Sequence, residues 1–269
     1  MLVPFIKTHG ARNDFLISWA DRIPNEIRDL AAVARAICAR YTGVGADGWI
    51  VLREGGPDCD GSIELWNSDG SRSEISGNGT RCAAAVLVEG GKAGSTVRIG
   101  TGAGLKRLEL LDRQGFVFSF EMNMGRAEIQ ELSANWLSDF AATTLNIGNP
   151  QCVVWVPGTF DWNWRALGET LERHPRFPNR TNVSFVRVVD RHTLDVRFFE
   201  RGAGETMSSG TGSTGAAAAA RARGLVDDPV RVLTPAGPLE LRWQGEDILL
   251  AGPAEITARG EFYYRETQD

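Results

Sequence analysis

SEISGNGTRCAAA occupies positions 73–85 and ETMSSGTGSTGAAAA occupies positions 205–219. Each is a serine, a glycine-rich turn and an alanine-rich run of good helix formers. Ser76-Gly77-Asn78-Gly79-Thr80 aligns with Ser209-Gly210-Thr211-Gly212-Ser213, and Ala83–Ala85 aligns with Ala216–Ala218. The offset is 133 residues, close to half of the 269. Strand-like runs surround both copies in similar order, so the chain reads as an internal duplication of an α+β half. Two such halves facing each other place two helix N-termini at one central cleft. A helix N-terminus offers unpaired N–H groups and the positive end of the macrodipole. Two of them suit a small carboxylic acid and stabilise negative charge that develops on it.

Working outward, the spacing of Ile27, Leu30, Ala31, Ala34, Ile37 and Cys38 predicts an amphipathic helix over 24–41, with Pro24 in its first turn. Strand-like runs follow at 49–52, 62–66, 96–99, 106–111 and 116–121, with a short helix over about 79–88. After Met122 the pattern starts again. LNIG and CVVWVP are strand-like, a helix falls near 162–171, and SFVRVVD and LDVRFFE lead to a short helix over about 211–223. Further strands close the chain.

Composition sets the class. Hydrophobic residues make up 42% and charged residues 23%, ordinary for a globular protein. The net charge of −5 points away from nucleic acid and anionic membrane. No run approaches the roughly 18 apolar residues of a membrane span, and MLVPFIKTHG has no signal-peptide pattern. The expectation is a cytoplasmic protein. Four scattered cysteines (Cys38, Cys59, Cys82, Cys152) and three histidines lack metal-ligand spacing, so no metal is expected and the thiols read as small, half-buried side chains. The G-x-x-x-x-G-K-[ST] phosphate loop is absent from both turns, and no G-x-S-x-G elbow supports a serine hydrolase.

Other polar stretches can complete a site: His9–Phe15 (HGARNDF), Gly43–Gly48 (GVGADG), Asn67–Ser71 (NSDGS), Gly148–Pro150 (GNP), Arg180–Asn182 (RTN) and Glu200–Glu205 (ERGAGE). Singly, each is explained by turn chemistry. The asparagines at strand ends are the less ordinary feature, because amides bind both amino and carboxyl groups.

Together these stretches resemble the diaminopimelate epimerase family: HGxxNDF, GxGADG, NxDGSxxE-x-x-GNGxRC, GNP, FPxRTN and ERGAGET-x-x-x-GTG fall in the family's order and spacing over nearly the whole chain. The resemblance implies an α/β (α+β) fold of two pseudo-symmetric domains, 1–116 and 117–269. Each is a mixed β-sheet around a central α-helix, with the active site in the cleft between them and the last strand expected to pack back on the first half. It further implies a homodimer and a cofactor-independent epimerase acting on a small amino acid, with two residues inverting the α-carbon. Carried over by position, Asn13, Asn67, Asn149, Asn182, Glu200 and Arg201 bind the distal end of the substrate. Gly77, Asn78, Gly210 and Thr211 hold the reacting α-carboxylate.

The chain departs from the family at the chemistry. Cysteines are expected where Ser76 and Ser209 stand, histidine where Gln151 stands, and glycine where Arg12 stands. A thiol near pKa 8.5 becomes a thiolate at a helix N-terminus; a serine hydroxyl starts far higher and needs a partner base. Gln151 is no base, and Glu200 and Glu205 carry binding or supporting roles by resemblance. Three readings fit: an epimerase with serine in place of its catalytic cysteines, a divergent isomerase or lyase using Ser76 and Ser209, or a non-catalytic amino-acid-binding relative.

Overall fold

The computed structural model describes residues 1–134, 136–137 and 139–265. The chain forms two compact units, one of Met1–Met122 together with the segment from Gly252 onward, the other of Asn123–Ala251.

The first unit runs β1 (Leu2–Gly10), β2 (Asn13–Trp19), α1 (Leu30–Cys38), β3 (Gly48–Gly56), β4 (Cys59–Asn67), β5 (Arg72–Ser73), α2 (Gly77–Glu89), β6 (Thr96–Thr101), β7 (Gly104–Gln114) and β8 (Val117–Gly125). In the second are β9 (Glu128–Ala134), β10 (Ala142–Asn146), β11 (Pro150–Trp155), α3 (Trp164–Glu172), β12 (Asn182–Asp190), β13 (Thr193–Glu200), β14 (Gly204–Thr206), α4 (Gly210–Ala222), β15 (Val230–Thr234), β16 (Gly237–Gln244) and the start of β17 (Asp247–Tyr263).

Pairing repeats step for step. β1–β2 is antiparallel, β2–β3 parallel, β3–β4 antiparallel and β4–β6 parallel. In the second unit β10–β11 is antiparallel, β11–β12 parallel, β12–β13 antiparallel and β13–β15 parallel. The short strands β5 and β14 each pair antiparallel with the strand before them. The final strand serves both units: near its start it pairs with β16, and from Glu255 onward with β1. The fold is thus a pseudo-symmetric α+β fold in which each unit repeats the same mixed strand pairing.

Each unit closes around its alanine-rich helix. From Asn78 to Leu87 every residue of α2 is buried, as are Gly212–Ala220 of α4. A helix apolar on all sides belongs in a core, and alanine side chains let strands approach it closely. α2 packs on β1, β2, β3, β4 and β6; α4 packs on β9 to β13, β15 and β16. Matching strands alternate: β4 reads intermediate and buried in turn along Ser62–Trp66, the period-2 signature of a half-buried strand.

The shorter helices lie elsewhere. α3 spans nine residues, close to the helix expected near 162–171. α1 covers only Leu30–Cys38, not 24–41. Asp29 makes it start late by accepting the Ala32 N–H as N-cap, and Ile27 enters the core from a turn closed on Pro24. The opening hairpin β1–β2 had no place among the expected strands; its apolar residues sit in mixed runs such as LVPFIKTHG, with too little alternation to stand out.

Candidate active site

Ser76 and Ser209 are the N-caps of α2 and α4. Their backbones nearly coincide, φ −132° and ψ 122° at Ser76 against φ −136° and ψ 122° at Ser209. Each hydroxyl accepts an N–H three residues on: Gly79 to Ser76 at 3.1 Å, and Gly212 to Ser209 at 3.1 Å. Part of the reason for serine is therefore structural, because Ser is among the best N-caps. The glycines at these positions also serve packing. A Cβ on Gly212 would lie 2.8 Å from the Phe198 ring, and one on Gly79 3.1 Å from Ile50 Cδ1. Gly77 differs: the nearest atom to its Cβ position is Met122 Cε at 3.6 Å, an ordinary contact.

The two caps diverge in what else they touch. Ser209 Oγ donates to Glu200 Oε2 at 2.7 Å, and Thr206 Oγ1 donates to Glu200 Oε1 at 2.7 Å. Burial pushes the Glu200 carboxyl above its ordinary range, outweighing these two hydrogen bonds that favour the anion. A carboxyl raised in this way holds a proton more readily than an ordinary glutamate does. Glu200, expected at the distal end of the substrate, is thus also the hydrogen-bond acceptor of Ser209. Glu205 points away from this contact and forms a surface ion pair with Arg165 at 2.7 Å. Ser76 makes no hydrogen bond as a donor among the described residues.

In each unit an asparagine from the first hairpin reaches the second residue of the glycine-rich helix. Asn78 Nδ2 donates to Asn13 Oδ1 at 3.2 Å, and Asn149 Nδ2 donates to Thr211 Oγ1 at 3.4 Å. Asn13 is held in turn by Asp47, which accepts from its Nδ2 at 2.7 Å; Asp47 lies in the GVGADG stretch. Asn149 is held by Gln151, whose Nε2 donates to its Oδ1 at 2.7 Å. Gln151 is 1% exposed, and its Oε1 has no partner. It positions an amide and is not a base.

Asn182 and Arg201 also come together. Asn182 Oδ1 accepts the Arg201 N–H at 3.0 Å, and Asn182 Nδ2 donates to the Pro150 carbonyl at 3.2 Å. Nearby, a groove of about 570 Å³ is lined by Asn146, Gly148, Asn149, Pro150, Pro178, Asn179, Arg180 and Arg201. Glu172, which sequence reasoning missed, braces it: its carboxylate pairs with Arg180 and accepts the Gly202 N–H at 3.2 Å. Although burial raises the Glu172 carboxyl, hydrogen bonds from Arg180 and Gly202 hold it below its usual range. Asn67 donates from its Nδ2 to Ser71 Oγ at 2.9 Å within a turn.

The three buried cysteines do not supply a thiolate. Cys38, Cys82 and Cys152 are buried and free, and burial pushes each thiol to about 12. Among the described residues no cluster of three His, Cys, Asp or Glu side chains gathers to hold a metal, and no helix is long and apolar enough to cross a membrane.

Each unit thus carries one capped, glycine-rich helix start, the second backed by a carboxylate with a raised pKa, which is consistent with an amino-acid epimerase, an isomerase. The comparisons agree. The family model for diaminopimelate epimerase matches residues 5–130 and 143–257. A diaminopimelate epimerase of Pelotomaculum thermopropionicum is 35% identical over 97% of this chain and 99% of its own, and one of Ectopseudomonas mendocina is 36% identical over 97% and 99%. The chain belongs to the diaminopimelate epimerase family. Solved structures share the fold: a probable proline racemase from Agrobacterium radiobacter with bound carbonate (TM-score 0.73, 16% identity, 99% of this chain and 93% of that one). A second is a phenazine biosynthesis protein of the PhzF family from Bacillus anthracis (TM-score 0.73, 15% identity, 97% and 99%).

Proposed function

We propose that this epimerase converts LL-diaminopimelate to the meso isomer without a cofactor, using Ser209 with Glu200 as one acid–base group and Ser76 as the other. The observation that carries the reading is the Ser209–Glu200 hydrogen bond of 2.7 Å. An isolated serine is too weak an acid to match the operating pH, whereas a serine bonded to a carboxylate passes its proton on as it takes one from the α-carbon. Substrate Cα–H breaks, Ser209 Oγ gains that proton and Glu200 receives the hydroxyl proton; the Ser76 O–H then breaks to protonate the opposite face of the α-carbon, and water returns a proton to the Ser76 oxygen. Gly77, Asn78, Gly210 and Thr211 are assigned to the α-carboxylate, and Asn13, Asn67, Asn149, Asn182 and Arg201 to the remaining amino and carboxyl groups. A homodimer in the cytoplasm belongs to the same proposal; sedimentation of the purified protein checks the first part.

Incubation with LL-diaminopimelate in D2O tests the reaction. The expected result is deuterium at one α-carbon together with the meso isomer. Exchange without the meso product would leave a one-sided proton transfer and remove Ser76 from the mechanism. Binding without either product would leave a non-catalytic amino-acid-binding protein.

A further inference from the structure

Glu172 ends α3, outside every motif that marks the site, yet its carboxylate ties together two turns of the groove. Its side chain is 2% exposed. A single oxygen, Oε1, takes both the Arg180 guanidinium and the Gly202 N–H, the latter at 3.2 Å. Oε2 accepts from Arg173 Nε at 3.3 Å, and the Glu172 carbonyl accepts the Thr181 N–H at 3.2 Å. A buried carboxylate is costly unless it is both paired and hydrogen-bonded. Glu172 meets both conditions through the 179–182 turn and the 200–202 turn, so its burial favours one arrangement of the two.

Arg201 sits between the same two turns. Its N–H donates to Asn182 Oδ1 at 3.0 Å, and its Nη1 donates to the Asn179 carbonyl at 3.1 Å. The groove is lined by two arginines, Arg180 and Arg201, and they are not equivalent. Arg180 is ion-paired with Glu172, whereas the acceptors of Arg201 among the described residues are neutral. Arg180 also stands at φ +61°, a left-handed conformation that a residue with a Cβ keeps when its surroundings impose it. Glu200 is anchored separately, by strand pairing opposite Gly204 and by hydrogen bonds from Thr206 and Ser209.

We infer that Glu172 is the positioning residue of the groove: it commits Arg180 to the fold, fixes the backbone on either side of Arg201, and leaves Arg201 as the cation offered to a ligand carboxylate. The inference rests on the epimerase reading for the identity of that ligand. Because Glu200 has its own anchors, loss of the brace should change binding and spare proton transfer.

Glu172→Ala and Glu172→Gln are compared with wild type in three measurements on the whole protein. These are steady-state kinetics with diaminopimelate, amide hydrogen exchange at Arg201 and Gly202, and the melting temperature without ligand. Glu172→Ala is expected to raise KM about tenfold with the turnover number within about threefold, the pattern of a lost binding interaction. Exchange at Arg201 and Gly202 should quicken about tenfold as local opening becomes easier. Glu172→Gln keeps an acceptor for the Gly202 N–H and loses the charge that holds Arg180. It should fall between Glu172→Ala and wild type in both readouts, and it decides the matter should Glu172→Ala fail to fold. A wild-type KM in a folded variant would overturn the inference, even with a lower melting temperature, because that is the pattern of a purely structural strut. A reduced turnover number at unchanged KM would also overturn it, since the effect would then fall on Glu200. A raised KM with unchanged exchange would do the same, leaving Glu172 to act through charge alone. If wild type neither binds nor converts diaminopimelate, the epimerase reading falls and exchange alone judges the brace: quicker exchange keeps it and unchanged exchange rejects it.

Discussion

Ser209 Oγ stands 2.7 Å from Glu200 Oε2 and 3.1 Å from the Gly212 N–H, so one hydroxyl both caps α4 and donates to a carboxylate. Ser76 keeps only the first of these roles, accepting the Gly79 N–H at 3.1 Å. Duplication preserved the cap and left the acid–base environment of the two copies different.

Glu200→Gln removes the proton acceptor and retains the shape. The turnover number is expected to fall by about 10²–10⁴ with a smaller change in KM. Because burial raises the Glu200 pKa, activity that needs the carboxylate should rise with pH through that value. Stability moves the other way. A folded-state pKa above the unfolded value of about 4.3 means the wild-type side chain fits best when protonated, below that value, and loses stability as pH rises through its folded pKa. Glu200→Gln should therefore melt at or above wild type at pH 8, with the gap closing toward pH 4. Glu205→Ala, which breaks only the exposed pair with Arg165, should leave turnover within about twofold and the melting temperature nearly unchanged. Steady-state kinetics and calorimetry across pH check both.

Restoring cysteine trades stability for chemistry. Ser76→Cys with Ser209→Cys places thiols at two helix N-termini, where the macrodipole lowers their pKa toward neutrality. Turnover is expected to rise at least tenfold. Sulfur is a weak acceptor, so each lost cap should cost about 1 kcal/mol. Chemical denaturation and the D2O exchange assay measure the two effects in the same sample. If turnover does not rise, Gln151→His added to the pair tests whether the buried amide that holds Asn149 is the remaining defect.

The turn glycines should separate by role. Gly212→Ala forces a methyl group to 2.8 Å from the Phe198 ring, and overpacking of this kind costs about 1–3 kcal/mol. Its melting temperature should drop accordingly, whatever ligand is present.

Arg12 occupies the second position of the β1–β2 turn at φ +59°, following Ala11 at φ +49°. Two-residue hairpins of this hand favour glycine there, since a Cβ is strained in the left-handed region. Arg12→Gly, which restores the family residue, should raise stability by up to about 1 kcal/mol. A lower unfolding free energy would show that the arginine side chain contributes more than its backbone costs.

Much was legible from residue order alone. Small residues at fixed spacing, repeated at one offset, can be read without coordinates because helix caps and alanine-rich helices are local chemistry. The same holds for α3, α4 and most of the strands. Less was legible where local signals are weak or shared: α1 is shortened by the competing cap at Asp29, and β1 and β2 take their strand character from the neighbours they pair with.

The sequence by itself determined the duplication, the family, the two capping serines and the asparagines that stand at strand ends. Only the tertiary structure decided their partners. Glu200 is nine residues from Ser209, Asp47 is 34 residues from Asn13 and Asn78 is 65 residues from it. Proton affinity and the cost of a buried charge depend on what surrounds a group in space, and those surroundings come from strands and loops distant in sequence. Hence the serines could be read from the chain, and the carboxylate behind one of them could not.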